Sequence, residues 1–163
     1  KMELIIQKMT ELGVYEIIPV AMKRCIIKLE DKKAKAKIAR WQGIAEAAAK
    51  QSKRAIVPQI REVMSLAEAL AYAEQMDVKL VPYEMEERLV GASGMEGTRR
   101  AIESIAVGQA VAVFIGPEGG FEEAEIQEAA AQGVTPITLG KRILRTETAG
   151  FTVMAWIMYF LEP

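Results

Sequence analysis

Ala110-Val-Ala-Val-Phe-Ile-Gly-Pro-Glu-Gly-Gly-Phe121 opens with six consecutive apolar residues and breaks at once into a glycine-rich turn. A short, uninterrupted apolar run of this kind predicts a strand covered on both faces, which is the habit of parallel sheets. Downstream, a helix over 122–132 stops at Gly133, a short strand over Pro136–Leu139 leads into a loop at 140–145, and a last helix runs from Thr146 to Leu161. Upstream, Ser65 and Glu68 have capping-box spacing and open a helix to about Gln75, ahead of a strand over Val78–Tyr83. A loop with Gly91, Gly94 and Gly97 occupies 84–97, and a short helix follows over Thr98–Ile105. Nearer the start, Leu4, Ile5, Met9 and Leu12 form a helical pattern ended by Gly13. Strands are expected over Val14–Val20 and Arg24–Leu29, and a helix over Lys32–Gln51 with Ile38, Trp41, Ile44, Ala45 and Ala48 on its apolar face. Strands alternating with helices define an α/β fold class: a mostly parallel sheet flanked by helices, in one domain over 1–163.

Composition narrows the chemistry. The chain has no histidine and a single cysteine, Cys25. Imidazole-based triads, the usual zinc-hydrolase ligand sets, a cysteine metal cluster and an intrachain disulfide are therefore excluded, and no metal is expected. The start shows no signal-peptide pattern, and the apolar run over 149–161 is too short to span a bilayer, so a cytoplasmic protein without a membrane partner is expected. Net charge is −1 yet strongly divided: residues 1–61 hold 14 Lys and Arg against 6 Asp and Glu, and residues 62–163 hold 7 against 16. The basic block includes Arg24, Lys32, Lys33, Lys35, Lys37, Arg40, Lys50, Lys53 and Arg54. Gathered on one face it would meet phosphates; otherwise it is a solvated helix face.

Ligands of open parallel sheets sit beyond the carboxyl ends of the strands, so the loops after 78–83, 110–115 and 136–139 are the places to look. Gly116-Pro-Glu-Gly-Gly-Phe121 lets a ligand approach the backbone, or is simply a tight strand-to-helix turn. It has neither the Gly-x-Gly-x-x-Gly nor the Walker spacing. Gly140-Lys-Arg-Ile-Leu-Arg-Thr-Glu-Thr-Ala149 puts three cations beside a helix start; alternatively, Thr146 caps that helix and Glu147 complements its dipole.

Gly116–Phe121 together with Leu139-Gly-Lys-Arg-Ile-Leu-Arg-Thr-Glu-Thr-Ala149 resembles the ribosomal small-subunit RNA methyltransferase E family, which methylates N3 of a uridine in 16S ribosomal RNA. Gln7-Lys8, Thr10–Gly13, Lys28-Leu29, Arg40-Trp41, Glu46-Ala47, Gln51-Ser52 and Arg54 extend the resemblance over nearly the whole chain. It implies a SPOUT methyltransferase with a deep C-terminal trefoil knot, acting as a homodimer through the knot region on 16S RNA or the 30S subunit. The knot has no basis in general folding rules, which disfavour it. Members also carry an N-terminal PUA-like RNA-binding domain that this chain lacks, so its start is expected to be an interior boundary.

The resemblance further implies an S-adenosylmethionine pocket made by Pro82, Tyr83 and Glu84; by Ile115, Gly116, Pro117, Gly119 and Gly120; and by Leu139, Gly140, Ile143, Leu144 and Arg145. Methyl transfer from a sulfonium releases a neutral thioether and needs no general acid. The uridine N3 proton must still leave, so the anion needs stabilising. Arg145 is the candidate for that, Glu118 for orienting the base or taking its proton, and Glu147 for positioning Arg145. Arg24, Arg40, Lys53, Arg54 and Arg142 are the candidate RNA contacts. Trp156, Met158 and Tyr159 are expected as buried packing or interface residues. The rival readings are a catalytically silent RNA-binding module of the same fold and a small-molecule enzyme using the glycine loop for a phosphate.

Overall fold

A computed structural model of the chain describes residues 1–24, 31–85 and 93–162. Its elements are α1 (Met2–Glu11), β1 (Glu16–Ile17), β2 (Val20–Ala21), α2 (Asp31–Gln51), β3 (Gln59–Ile60), β4 (Met64–Ser65), α3 (Leu66–Ala73), β5 (Val78–Pro82), α4 (Gly94–Glu103), β6 (Val111–Val113), α5 (Glu123–Ala131), β7 (Thr135–Ile137) and α6 (Thr146–Leu161). Residues 25–29 of the expected second strand, including Lys28 and Leu29, and Gly91 lie outside the described residues.

Three parallel strands in the order β6-β5-β7 organise the C-terminal part. Central β5 alternates strictly. Leu80, 1% exposed, points into a cluster with Ile102 of α4, Ile137 of β7, and Val153 and Ile157 of α6; Val81, fully buried, points the other way into Leu70 of α3, and Ile126 and Ala129 of α5. The sheet is therefore covered by α4 and α6 on one face and by α3 and α5 on the other. Of the apolar run 110–115 only Val111–Val113 form β6; Ala110 is exposed and 111–115 are half-buried, and the strand sealed on both faces is β5. An edge strand leaves one flank uncovered, and sequence reports apolarity, not rank in the sheet.

The N-terminal part is stitched by very short parallel pairs, β1 with β3 and β2 with β4. The strand expected over 14–20 divides at Pro19, which has no N–H to give to a ladder, and its halves find different partners. β3 and β4, two residues each, carry no periodicity to read. Ile6 of α1 and Ile60 of β3 pack against Trp41 and Ala45 of α2, with Ile38 and Ile44 alongside, and these α2 residues belong to the apolar face read from its sequence. The helix expected over 98–105 opens four residues earlier, at Gly94. No helix among the described residues is long and apolar enough to cross a membrane.

Three helices end in the same way. In α1, α2 and α5, the N–H groups two and three residues past the helix bond back to its last turn: Gly13 to Thr10 and Val14 to Met9, Lys53 to Lys50 and Arg54 to Ala49, Gly133 to Ala130 and Val134 to Ala129. This Schellman closure needs a left-handed residue in the first position. Gly13 and Gly133 supply it freely, but in α2 the position is taken by Lys53 at φ 59°. A side chain there costs about 1 kcal/mol or more. Lys53→Gly should therefore raise stability by about 1 kcal/mol, measured by urea unfolding; an unchanged midpoint would show that the lysine is held there without strain.

Candidate functional site

Because β5, β6 and β7 run parallel, their carboxyl ends open on one side, and the loops that follow them meet there. Together with the first turns of α6 they line an open cleft of about 650 Å³ counted out into the solvent at its mouth. Its walls are Pro82, Tyr83 and Glu84; Ile115, Gly116, Pro117, Gly120 and Phe121; Thr138, Leu139, Gly140, Arg142, Ile143 and Leu144; and Thr146 and Ala149.

Local chemistry fixes each loop. Gly120 N–H donates to the Pro117 carbonyl at 2.8 Å, closing the turn with Gly120 at φ 70°. Gly116 lies under the Phe121 ring, where a Cβ would come within 2.9 Å of ring carbons. The Thr146 hydroxyl donates to the Gly116 carbonyl at 3.0 Å and ties the second loop to the start of α6. In the third loop, Gly140 N–H donates to Thr138 Oγ1 at 3.2 Å, with Gly140 at φ 99°. The wall is mostly apolar, with Glu84 and Arg142, both exposed, as the charged groups of opposite sign.

The structure brings together all the expected pocket residues except Gly119 and Arg145, which stand outside the wall. Phe121, Thr138, Thr146 and Ala149 were not expected in it. Phe121 carries the one available signal, as the apolar residue closing the glycine turn. Arg142, expected against RNA, lines the cleft as well. Thr146 does not cap α6: the N-cap is Arg145, without a side-chain bond, and Thr146 is the first helical residue with its hydroxyl spent on Gly116.

Arg145 is exposed at the head of α6. Glu118, about half exposed, pairs with Lys1, and that bond, with the more distant charge of Arg145, holds its carboxyl below the usual carboxylate range. A carboxylate so held is a poor proton acceptor, which favours an orienting role over a basic one. Glu147 makes no ion pair with Arg145, and its Oε2 is buried without a hydrogen-bond partner.

The basic residues divide by what already occupies them. Arg54 donates to the carbonyls of Thr10 and Val14 at 2.9 Å each and of Gly13 at 3.2 Å, and burial lowers its pKa. Its donors cap the closing turn of α1, so it serves the fold and leaves the set of free cations. Arg24 reaches the Gly119 carbonyl at 3.0 Å and Glu122 at 3.7 Å; Arg40 pairs with Glu3 at 2.9 Å. Lys33, Lys35, Lys50 and Lys53 are exposed.

An α/β domain with a cleft lined by apolar and polar groups at the carboxyl ends of its parallel strands is of the class that binds its ligand beyond those strand ends. Residues 1–158 match the family described as RNA methyltransferase domain, and the chain belongs to that family. It is 40% identical over 162 residues to ribosomal RNA small subunit methyltransferase E of Bacillus subtilis, covering 99% of this chain and 62% of that protein. Among solved structures, it is similar to ribosomal RNA small subunit methyltransferase E of Neisseria gonorrhoeae bound to S-adenosyl methionine (TM-score 0.80, 35% identity, 98% of this chain and 61% of that one). It is likewise similar to a putative methyltransferase of Legionella pneumophila in complex with the same cofactor (TM-score 0.80, 30% identity, 97% and 60%). The chain thus spans about three fifths of the length of these relatives.

Proposed function

We propose that this chain is an S-adenosylmethionine-dependent catalytic domain that methylates N3 of a uridine in 16S ribosomal RNA, as naked RNA or in the 30S subunit. The observation that carries the reading is the meeting of the two signature loops, 116–121 and 139–144, with the loop at 82–84 on one cleft. Names and bound cofactor of the relatives agree with it.

The residues present fit that cofactor. Ile115, Leu139, Ile143 and Leu144 offer apolar walls for adenine, and the missing side chains at Gly120 and Gly140 leave main chain open to the ribose. Arg142 and Glu84 suit the carboxylate and the cationic end. When bound, the cofactor supplies an electrophilic methyl on sulfonium. Arg145 stabilises the negative charge left on uracil as its N3 proton departs to solvent water, and Glu118 orients the base. Arg24, Arg40 and Lys53 meet phosphates, each of the first two exchanging an existing partner for one.

The reading includes a homodimer, a C-terminal trefoil knot and a cytoplasmic setting. The far end of α6 supports the dimer: Tyr159, expected as a packing or interface residue, is 79% exposed in the single chain, and Phe160 beside it is 45% exposed. A second copy would cover both.

Calorimetry with S-adenosylmethionine, then mass mapping of unmodified 16S RNA and 30S subunits incubated with protein and cofactor, tests the proposal. One methylated uridine base is expected. Absence of cofactor binding would sink it, and binding without transfer would establish the silent RNA-binding module instead.

A further inference from the structure

β7 is an edge strand, and its two flanks are satisfied differently. On the inner flank the Ile137 carbonyl accepts from Tyr83 N–H at 3.0 Å, continuing the ladder with β5. Main-chain groups of successive strand residues face opposite sides, so the N–H and carbonyl of Thr138 point outward, where no strand of the described residues lies. One side chain meets both. Thr98 of α4 is 2% exposed, its hydroxyl accepts from Thr138 N–H at 3.0 Å, and it donates to the Thr138 carbonyl at 2.9 Å. The carbonyl of Gly94, one turn back in α4, lies at 3.4 Å and is the poorer acceptor for the single hydroxyl proton.

The Thr98 hydroxyl thus stands in for a missing strand residue, one oxygen serving as both donor and acceptor to Thr138. What it pins is the hinge of the third cleft loop. Thr138 is the first loop residue in the wall, and its own hydroxyl accepts from Gly140 N–H at 3.2 Å. A relay therefore runs from the buried face of α4 through Thr138 to Gly140, ahead of Arg142, Ile143 and Leu144. Without it, two main-chain groups would lie unpaired beside a largely closed core, and the loop would seek other partners.

We infer that Thr98, which makes no part of the cleft wall, is a positioning residue for cofactor binding: its hydroxyl sets the Thr138–Gly140 segment so that the loop is pre-formed to receive S-adenosylmethionine. This rests on the proposed reading of the cleft. Thr98→Val keeps the shape and removes the hydroxyl. It should weaken S-adenosylmethionine binding and raise its KM about tenfold, one lost preorganising contact being worth roughly that. At saturating cofactor kcat should stay within about twofold, since the reacting atoms are untouched. Thr98→Ser, which keeps the hydroxyl, should bind within about threefold of the parent. Thr10→Val is the control, because Thr10 is also buried, its hydroxyl donates within its own helix to the Ile6 carbonyl at 2.7 Å, and it forms no part of the cleft wall. It should lower the melting temperature without moving the affinity.

Parent-like cofactor affinity in Thr98→Val, or equal losses in the valine and serine variants, overturns the inference. Amide exchange in the ligand-free protein decides it independently: Thr138 N–H should exchange about a hundredfold slower than an open-loop amide, and faster in Thr98→Val. Open-loop exchange at Thr138 in the parent overturns it even if the valine variant does not fold. A parent that fails to bind S-adenosylmethionine refutes the reading of the cleft and leaves this contact to the exchange measurement.

Discussion

Arg145→Ala is expected to slow methyl transfer about 10²–10³-fold while S-adenosylmethionine affinity stays within a few fold, the cost seen when one fixed donor to a developing anion is removed. Two observations separate these effects. Arg145 stands at the N-cap of α6, exposed and outside the cleft wall, so the cofactor loses no contact when it is truncated. Its charge is nevertheless felt across the mouth, where it contributes to the lowered pKa of Glu118. Arg145→Lys keeps a charge but loses the planar fork, and should recover part of the rate. Single-turnover transfer to 16S RNA at saturating cofactor, with calorimetry alongside, makes the measurement. Near-normal turnover in the alanine variant would remove Arg145 from the chemistry, and a large loss of cofactor affinity would place it in the pocket.

Gly140→Val should have the next largest effect. Gly140 sits at φ 99°, beyond where any side chain is comfortable, and nothing lies within 4 Å of the position a Cβ would take. The penalty is therefore conformational with no clash added, about 1–3 kcal/mol and at the upper end for a β-branched residue. The loop can escape the strain only by rotating Gly140 N–H away from Thr138 Oγ1, which moves the wall. Cofactor affinity should fall by roughly ten- to a hundredfold, the same energy read as binding. An unchanged Kd would mean that the loop adopts a different backbone when loaded.

Much of this was legible in the sequence because certain signals are local. The Ser65/Glu68 capping box forms as spaced, with Ser65 N–H on Glu68 and Glu68 N–H on Ser65 Oγ, and Gly13 and Gly133 end their helices. The three cleft loops follow from the strand pattern, although the roles assigned to their residues came through family resemblance. What stayed hidden depends on partners distant in the chain. Two-residue strands have no period. The order β6-β5-β7, which makes β5 the sealed strand, is a fact about space. Arg54 and Lys53 are adjacent cations of similar appearance, yet one is spent on three carbonyls and the other is exposed in a left-handed cap. Thr98 looked like the start of a helix; only the edge of β7 gives its hydroxyl a purpose.

The contact between the first and last helices bears on how the molecule comes apart. Gly150, buried in α6, lies where a Cβ would touch Ile115 of the cleft at 3.7 Å and Met9 of α1 at 4.0 Å, and Gly13 abuts Met158 and Met154 further along α6. α1 is thus a buttress behind the ligand wall, and its loss would uncover the helix on which Thr146 and Ala149 are mounted. The basic opening third and the acidic remainder share one cooperative transition: heat or denaturant should dissolve helix, sheet and cleft in a single step, without a surviving half that still binds.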